Sequence, residues 1–340
     1  MNYLERNINK SFILDCLYTS NYDDLYKKLF SSKLSSSIYN YISQYPTDPN
    51  YVDLKNKICK HFNVKEIILG AGGEDFVIKV NQFLFSKKIQ VGIVRPIFYR
   101  IPETFKGKTR YLSEEEFLSE KFYHLQAIWL TNPNLLTGTV FNAQKLIEIF
   151  SHNPKIIFII DEAGIFLIKD WKKYSLLGRE INNVFIIESF SKAYGLSGMR
   201  ASFATGNKFI LNGIGESLLT FPITSITERF INIVLDNQSS IDKLKVKIQK
   251  NKDEIEMILS QFQGFELIKN KTNCIFIRNK RKKIYPYLIT AGVNCLDLDQ
   301  ESGTSKKGFI RITMHSSKKS FTILKNCLLK ILEKEYEKKN

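Results

Sequence analysis

The sequence predicts an α/β protein: a mostly parallel central sheet flanked by helices, with a smaller α+β domain attached. Two features carry this expectation. Residues 156–160 and 184–187 are unbroken apolar runs rich in Ile and Phe, and a strand that is apolar at every position is one buried on both faces, as parallel strands are. Helical stretches separate the apolar runs along the chain, the order of strand–helix–strand units.

With 340 residues and 44% hydrophobic content, the chain can bury a substantial core, and at roughly 100–200 residues per domain two domains are expected. The predicted division is a large domain at 46–238 and a small one formed by 1–45 together with 239–340. The formal charge of +16 is spread thinly, with modest clusters at 280–283 and at Lys338-Lys339 and no interleaved stacking aromatics. That pattern reads as lysine bias and predicts no nucleic-acid partner. Five scattered cysteines without a C-x-x-C or a His/Cys metal spacing predict reduced thiols and no metal. The first ten residues lack the apolar core of a signal peptide and no apolar run reaches the ~18 residues of a spanning helix. A soluble, cytoplasmic protein without membrane contact is therefore expected.

In chain order, residues 1–40 mix aromatic and polar residues with weak helical periodicity and suggest no chemistry. The prolines of Q-Y-P-T-D-P-N-Y hold Tyr45 in an extended turn, and apolar residues at 54, 58 and 62 predict a helix over 52–62. A short strand at 67–69 ends in Gly70-Ala71-Gly72-Gly73-Glu74, before a helix over 76–85. Glycines opening a helix bare its backbone N–H groups and, with the helix dipole, form a phosphate cradle. The strand at 90–94 leads to Phe98, whose ring is placed to stack on a heteroaromatic ligand, worth ~0.5–1.5 kcal/mol beyond burial. Strands at 124–131 and 156–160 end in N-P-N-L-L-T-G and in Asp161-Glu162-Ala163, so the second delivers an acid to the crevice where α/β sheets bind ligands. The strand at 184–187 opens into E-S-F-S-K-A-Y-G-L-S-G-M-R. There Ser189 and Ser191 offer hydroxyls to an anion, Lys192 an amine able to form a Schiff base, and Arg200 a fixed cationic fork.

From residue 240 the pattern changes. Ile241, Leu244, Ile248, Ile255, Ile258, Leu259 and Phe262 recur at helical spacing, predicting a long bridging helix near 240–263 capped by Gly264. Strands at 274–277 and 309–313 and helices at 283–290 and 317–335 complete the chain.

The order of these motifs resembles the class I/II aminotransferases of fold type I, in particular the branch of the histidinol-phosphate aminotransferases and threonine-phosphate decarboxylases. The resemblance spans roughly residues 40–315 and carries a set of expectations. Pyridoxal 5'-phosphate would be the cofactor. Lys192 would bond it as a Schiff base and move the substrate proton, while Asp161 would pair with the pyridinium nitrogen and keep the ring electron-withdrawing. Gly72, Gly73, Glu74, Ser189, Ser191 and Arg200 would hold its phosphate, Phe98 would stack on its ring, and Asn134 lies in the loop that faces it. Arg311, in F-I-R-I-T, would grip the substrate carboxylate, and Tyr45 would reach the phosphate of a neighbouring subunit, which implies a homodimer.

Three departures qualify the resemblance. Leu135 stands where the family has the Asn that bonds the cofactor's phenolic oxygen, Gly164 where it has a Tyr for the same atom, and the N-terminal segment lacks the N-E-N-P type of substrate stretch. A hydrogen bond to a charged oxygen contributes ~1.5–3 kcal/mol, so cofactor binding should be looser than in the family. Transamination between a small amino compound, phosphorylated or free, and a keto acid is the first expectation. Decarboxylation of an O-phospho amino acid and cofactor binding with weakened catalysis are its alternatives.

Overall fold

The computed structural model describes residues 11–19, 31, 38–301, 303–304 and 306–336; the extreme N-terminus and the Lys338-Lys339 pair lie outside them. Its largest sheet has seven strands: β2 (Ile68–Gly70), β3 (Val91–Val94), β4 (Thr109–Leu112), β5 (Ala127–Thr131), β6 (Ile157–Asp161), β7 (Val184–Ser189) and β8 (Ser202–Gly206), in the order β2-β8-β7-β6-β5-β3-β4. The five strands from β7 to β4 are parallel neighbours, and only β8 runs against both of its partners.

Alternation along β5 to β7 explains why these strands read as continuous apolar runs. Ile128, Leu130, Phe158, Ile160 and Ile186 enter one core, whereas Ala127, Trp129, Ile159, Phe185 and Ile187 enter a second on the opposite face. Helix Gly73–Ser86 covers that second face through Phe76, Val77, Val80 and Leu84, and helix Ala143–His152 covers the first through Leu146, Ile149 and Phe150. Each face thus removes branched and aromatic side chains from water, at ~25 cal/mol per Å².

The helix predicted near 240–263 is present as Gln238–Ser260, with Ile241, Leu244, Ile248, Ile255 and Leu259 buried. Gly264 does not cap it. The helix stops four residues earlier, and Gly264 turns the chain at φ 98° into β9 (Phe265–Leu267). With β10 (Cys274–Asn279), β12 (Leu296–Asp297) and β13 (Ile310–Thr313), β9 makes an antiparallel four-stranded sheet ordered β12-β13-β10-β9. The strand predicted at 124–131 begins only at Ala127, because His124 adopts a left-handed turn at φ 61°.

The N-terminal segment departs further from expectation. Leu14–Asp15 is a two-residue strand, β1, paired in parallel with β11 (Val293–Asn294), and the Cys16 carbonyl accepts from the Thr313 N–H at 3.0 Å. A segment with no legible chemistry is thereby tied to the C-terminal sheet and directed toward the strand ends of the large one.

One buried polar node joins the helices over the second face to the sheet. The Trp129 indole N–H donates to Asn81 Oδ1 at 3.0 Å, and Asn81 Nδ2 donates to the Ile101 carbonyl and the Thr104 hydroxyl, both at 2.8 Å. Asn81→Leu keeps the volume but leaves the indole N–H and the Ile101 carbonyl unpaired in an apolar core. We expect chemical denaturation to show a loss of about 1–3 kcal/mol for each orphaned group; unchanged stability would contradict the role given to this node.

Candidate active site

The carboxyl ends of β3, β5, β6 and β7 open on one side of the sheet, and the loops leaving them enclose a cavity of about 300 Å³. Parallel strands place their terminal loops together at such an edge, so residues far apart in sequence converge there. Phe98 arrives after β3, Asn134 and Leu135 after β5, Asp161 at the end of β6, Ser189 at the end of β7, and Ser191, Lys192 and Arg200 in the loop that follows; all of them line the cavity, with Gly73, Glu74 and Arg311.

Lys192 and Asp161 both line the cavity. Burial and the nearby guanidinium groups of Arg311 and Arg200 push the Lys192 amine below its ordinary value, against the opposing pull of Asp161. The Asp161 carboxyl is pushed up by burial, opposed by the Ala163 N–H that its Oδ1 accepts at 2.9 Å and by Lys192. Each group is thus moved toward its neutral form, and their mutual attraction restrains both shifts.

One end of the cavity is built on helix Gly73–Ser86. Gly73 and Glu74 occupy its first turn, where backbone N–H groups have no intrahelical acceptor. Gly72 precedes it at φ 90°, and a Cβ there would lie 2.9 Å from Arg200 Cζ. Only glycine lets the guanidinium lie against the turn. Arg200, itself left-handed at φ 49°, also donates to the Ser197 carbonyl at 3.2 Å. Ser189 Oγ accepts from the Ser191 N–H at 3.0 Å, which shapes the bend before Lys192. The Glu74 carboxylate is held by Arg100 Nε at 2.5 Å.

Arg311 is buried and donates to the carbonyls of Leu135, at 3.0 Å, and Leu17, while its Nε has no hydrogen-bond partner among the described residues. Asn134 is committed within its loop, donating to the Pro96 carbonyl at 2.7 Å and accepting from the Leu136 N–H at 2.9 Å. Tyr45 lies outside this cavity. It is 80% exposed, with its ring 5.2 Å from that of Phe221.

Leu135 and Gly164 prove to be spatially coupled. A Cβ at Gly164 would stand 3.1 Å from Pro133 Cγ and 3.2 Å from Leu135 Cδ1, so the leucine side chain takes the space into which a residue at 164 would grow. Thr19 is the residue that sequence reasoning missed. It lines the cavity with Leu17 and Tyr18, and its Oγ1 accepts from Lys192 Nζ at 2.8 Å. No local signal marks it, since only the pairing of β1 with β11 brings it there.

A lysine and an acid at the ends of parallel strands, beside a glycine-led helix start, form a ligand site at the carboxyl edge of an α/β sheet. The chain belongs to the aminotransferase class I and II family, which its sequence matches over residues 32–325. The histidinol-phosphate aminotransferase of Brachyspira hyodysenteriae is 26% identical over 298 residues, covering 82% of this chain and 78% of that protein. Among solved structures, the histidinol-phosphate aminotransferase of Sinorhizobium meliloti in complex with pyridoxal-5'-phosphate superposes with a TM-score of 0.80 at 15% identity, covering 97% of this chain and 94% of that one. The L-threonine-O-3-phosphate decarboxylase of Porphyromonas gingivalis superposes with a TM-score of 0.77 at 18% identity, covering 94% and 100%. The cofactor of this enzyme is pyridoxal phosphate.

The lowered proton affinity of Lys192 has a direct consequence for cofactor capture, because only the neutral amine attacks a carbonyl. The rate of covalent uptake of pyridoxal phosphate should rise with pH around a midpoint below the ordinary lysine value of 10.5. Stopped-flow absorbance across pH measures this, and a midpoint at or above 10.5 would contradict the electrostatics described.

Proposed function

We propose that the enzyme transfers an amino group between a small amino compound with an anionic end, of the histidinol phosphate kind, and a keto acid. The observation that carries this reading is the convergence of Lys192, Asp161, Arg200 and Arg311 on one cavity. The residues fit the cofactor: the Gly72 turn has no room for a side chain beside Arg200, and the donor set of two hydroxyls, a helix start and a guanidinium suits a phosphate.

When bound, pyridoxal phosphate supplies an electron sink that stabilises negative charge at the substrate's Cα. Lys192 would anchor the cofactor and serve as the base that carries the Cα proton. Asp161 would hold a proton on the ring nitrogen, Phe98 would pack on the ring, and Ser189, Ser191, Arg200 and the N–H groups at Gly73 and Glu74 would hold the phosphate. Thr19 orients the Lys192 amine. Arg311, clamped by two carbonyls, presents its remaining guanidinium edge to the anionic end of the substrate. Tyr45, exposed on its own chain, is assigned to the site of a second copy in a homodimer. We further divide the chain into a large domain at 46–238 and a small one of 1–45 with 239–340, a division supported by the separate sheets and by the β1–β11 pairing.

A second reading, decarboxylation of an O-phospho amino acid, uses the same lysine and differs in which Cα bond stands perpendicular to the ring. The packing of Leu135 against Gly164 supports a third reading, cofactor binding with weakened catalysis, because it leaves an apolar wall beside the cavity.

The readings separate experimentally. Purified protein supplied with pyridoxal phosphate should gain visible absorbance that borohydride removes, leaving the mass of the reduced cofactor on the peptide containing Lys192, and Lys192→Ala should abolish both this and turnover. With histidinol phosphate and a keto acid, the amino group should appear on the keto acid. Release of CO₂ from a phospho-amino acid without amino transfer would replace transamination by decarboxylation, and a protein that stays colourless would overturn both.

A further inference from the structure

Two carboxylic acids behind the cavity play no part in the roles assigned so far. Glu162 follows Asp161 at the end of β6, Glu188 precedes Ser189 on β7, and neither has any exposed surface. The strands are parallel neighbours, and the Glu162 N–H donates to the Ile187 carbonyl at 2.9 Å, so the two side chains leave adjacent positions. Glu162 is well supplied with donors: Oε2 accepts from Ser175 Oγ at 2.6 Å and Oε1 from the Leu176 N–H at 2.8 Å. Glu188 is not. Neither of its oxygens meets a donor among the described residues, and the group its carboxyl touches is the Glu162 carboxyl.

Two ionised carboxylates in contact, both stripped of water, repel strongly and lose their hydration. One proton removes the difficulty. It turns an acceptor–acceptor contact into a short O–H···O⁻ bond and leaves a single charge spread over the pair.

We propose that Glu162 and Glu188 are a proton-sharing pair of positioning residues, which ties the end of β7 to the end of β6 and to the Ser175–Leu176 turn and so fixes the strand end that carries Asp161. The charged groups acting on the pair are Asp161 on β6 and Arg179 beyond the Ser175–Leu176 turn; the Ser189 N–H on β7 opposes the rise at Glu188 without making a hydrogen bond to it. Burial pushes the Glu162 carboxyl up to about 7 and raises Glu188 well above its ordinary value, with the Glu162 charge adding to the rise. In the unfolded chain both ionise near 4.5. As pH rises from there the folded state therefore holds more protons than the unfolded one, and stability must fall until the pair titrates.

The influence on Asp161 rests on the cofactor reading above, whereas proton sharing does not, so the two can fail separately. Infrared spectra of the full-length protein at neutral pH, without pyridoxal phosphate, should contain a protonated-carboxyl band that shifts in D₂O and is lost in Glu188→Gln. Because the amide supplies the missing N–H donor permanently, this variant should fold, and its denaturation midpoint should decline less steeply between pH 5 and 8 than that of the unaltered protein. Glu188→Leu, without a donor, should retain less pyridoxal phosphate on dialysis than Glu188→Gln. Absence of the band from the unaltered protein would overturn the proposal even if the variants fail to fold, as would parallel pH profiles. Equal cofactor retention by the Gln and Leu variants would overturn the positioning role.

Discussion

The attraction between Lys192 and Asp161 inside a water-poor crevice is the interaction on which the rest of the site depends. Burial drives each toward neutrality, and each restrains the other. The outcome is an amine of reduced proton affinity in the field of an acid that still favours positive charge nearby. Such a balance survives only if the surrounding sheet keeps water out and the strand ends in register. The alternation of β5, β6 and β7 into two cores secures this, because a one-residue slip of any of them would exchange its two faces.

The cavity is closed by the part of the chain with the least distinctive sequence. Leu17 to Thr19 reach it because β1 pairs with β11, some 280 residues away along the chain, and because the Leu17 carbonyl accepts from buried Arg311. The same guanidinium bonds the Leu135 carbonyl, so a single cation links the N-terminal segment, the loop after β5 and the C-terminal sheet. Leu135 and Gly164 lie against each other, a Cβ at 164 falling 3.2 Å from Leu135 Cδ1, so a side chain there would press on the leucine.

What the sequence made legible follows from physical rules that are local. Strands β5 to β7 could be read because parallel strands with both faces buried are apolar at every position, and the lysine loop because its residue types have few alternative uses together. Strand β4 could not, since T-R-Y-L is a partly exposed edge strand of mixed polarity, nor could β8, whose S-F-A-T-G lacks an apolar run. Thr19 and the Glu162–Glu188 contact were invisible for another reason: both arise where segments distant in sequence are brought together, and no periodicity records such pairings. Gly264 shows the converse error: a left-handed glycine read as the cap of the long helix serves instead the turn into β9.

The central claim is that Asp161 keeps a proton on the cofactor's ring nitrogen while Lys192 anchors it. Nitrogen NMR of the protein loaded with ¹⁵N-labelled pyridoxal phosphate tests this most directly. The account predicts a protonated ring nitrogen in the unaltered protein at neutral pH and an unprotonated one in Asp161→Asn. An unprotonated nitrogen in the unaltered protein, or the same spectrum in both, would contradict it.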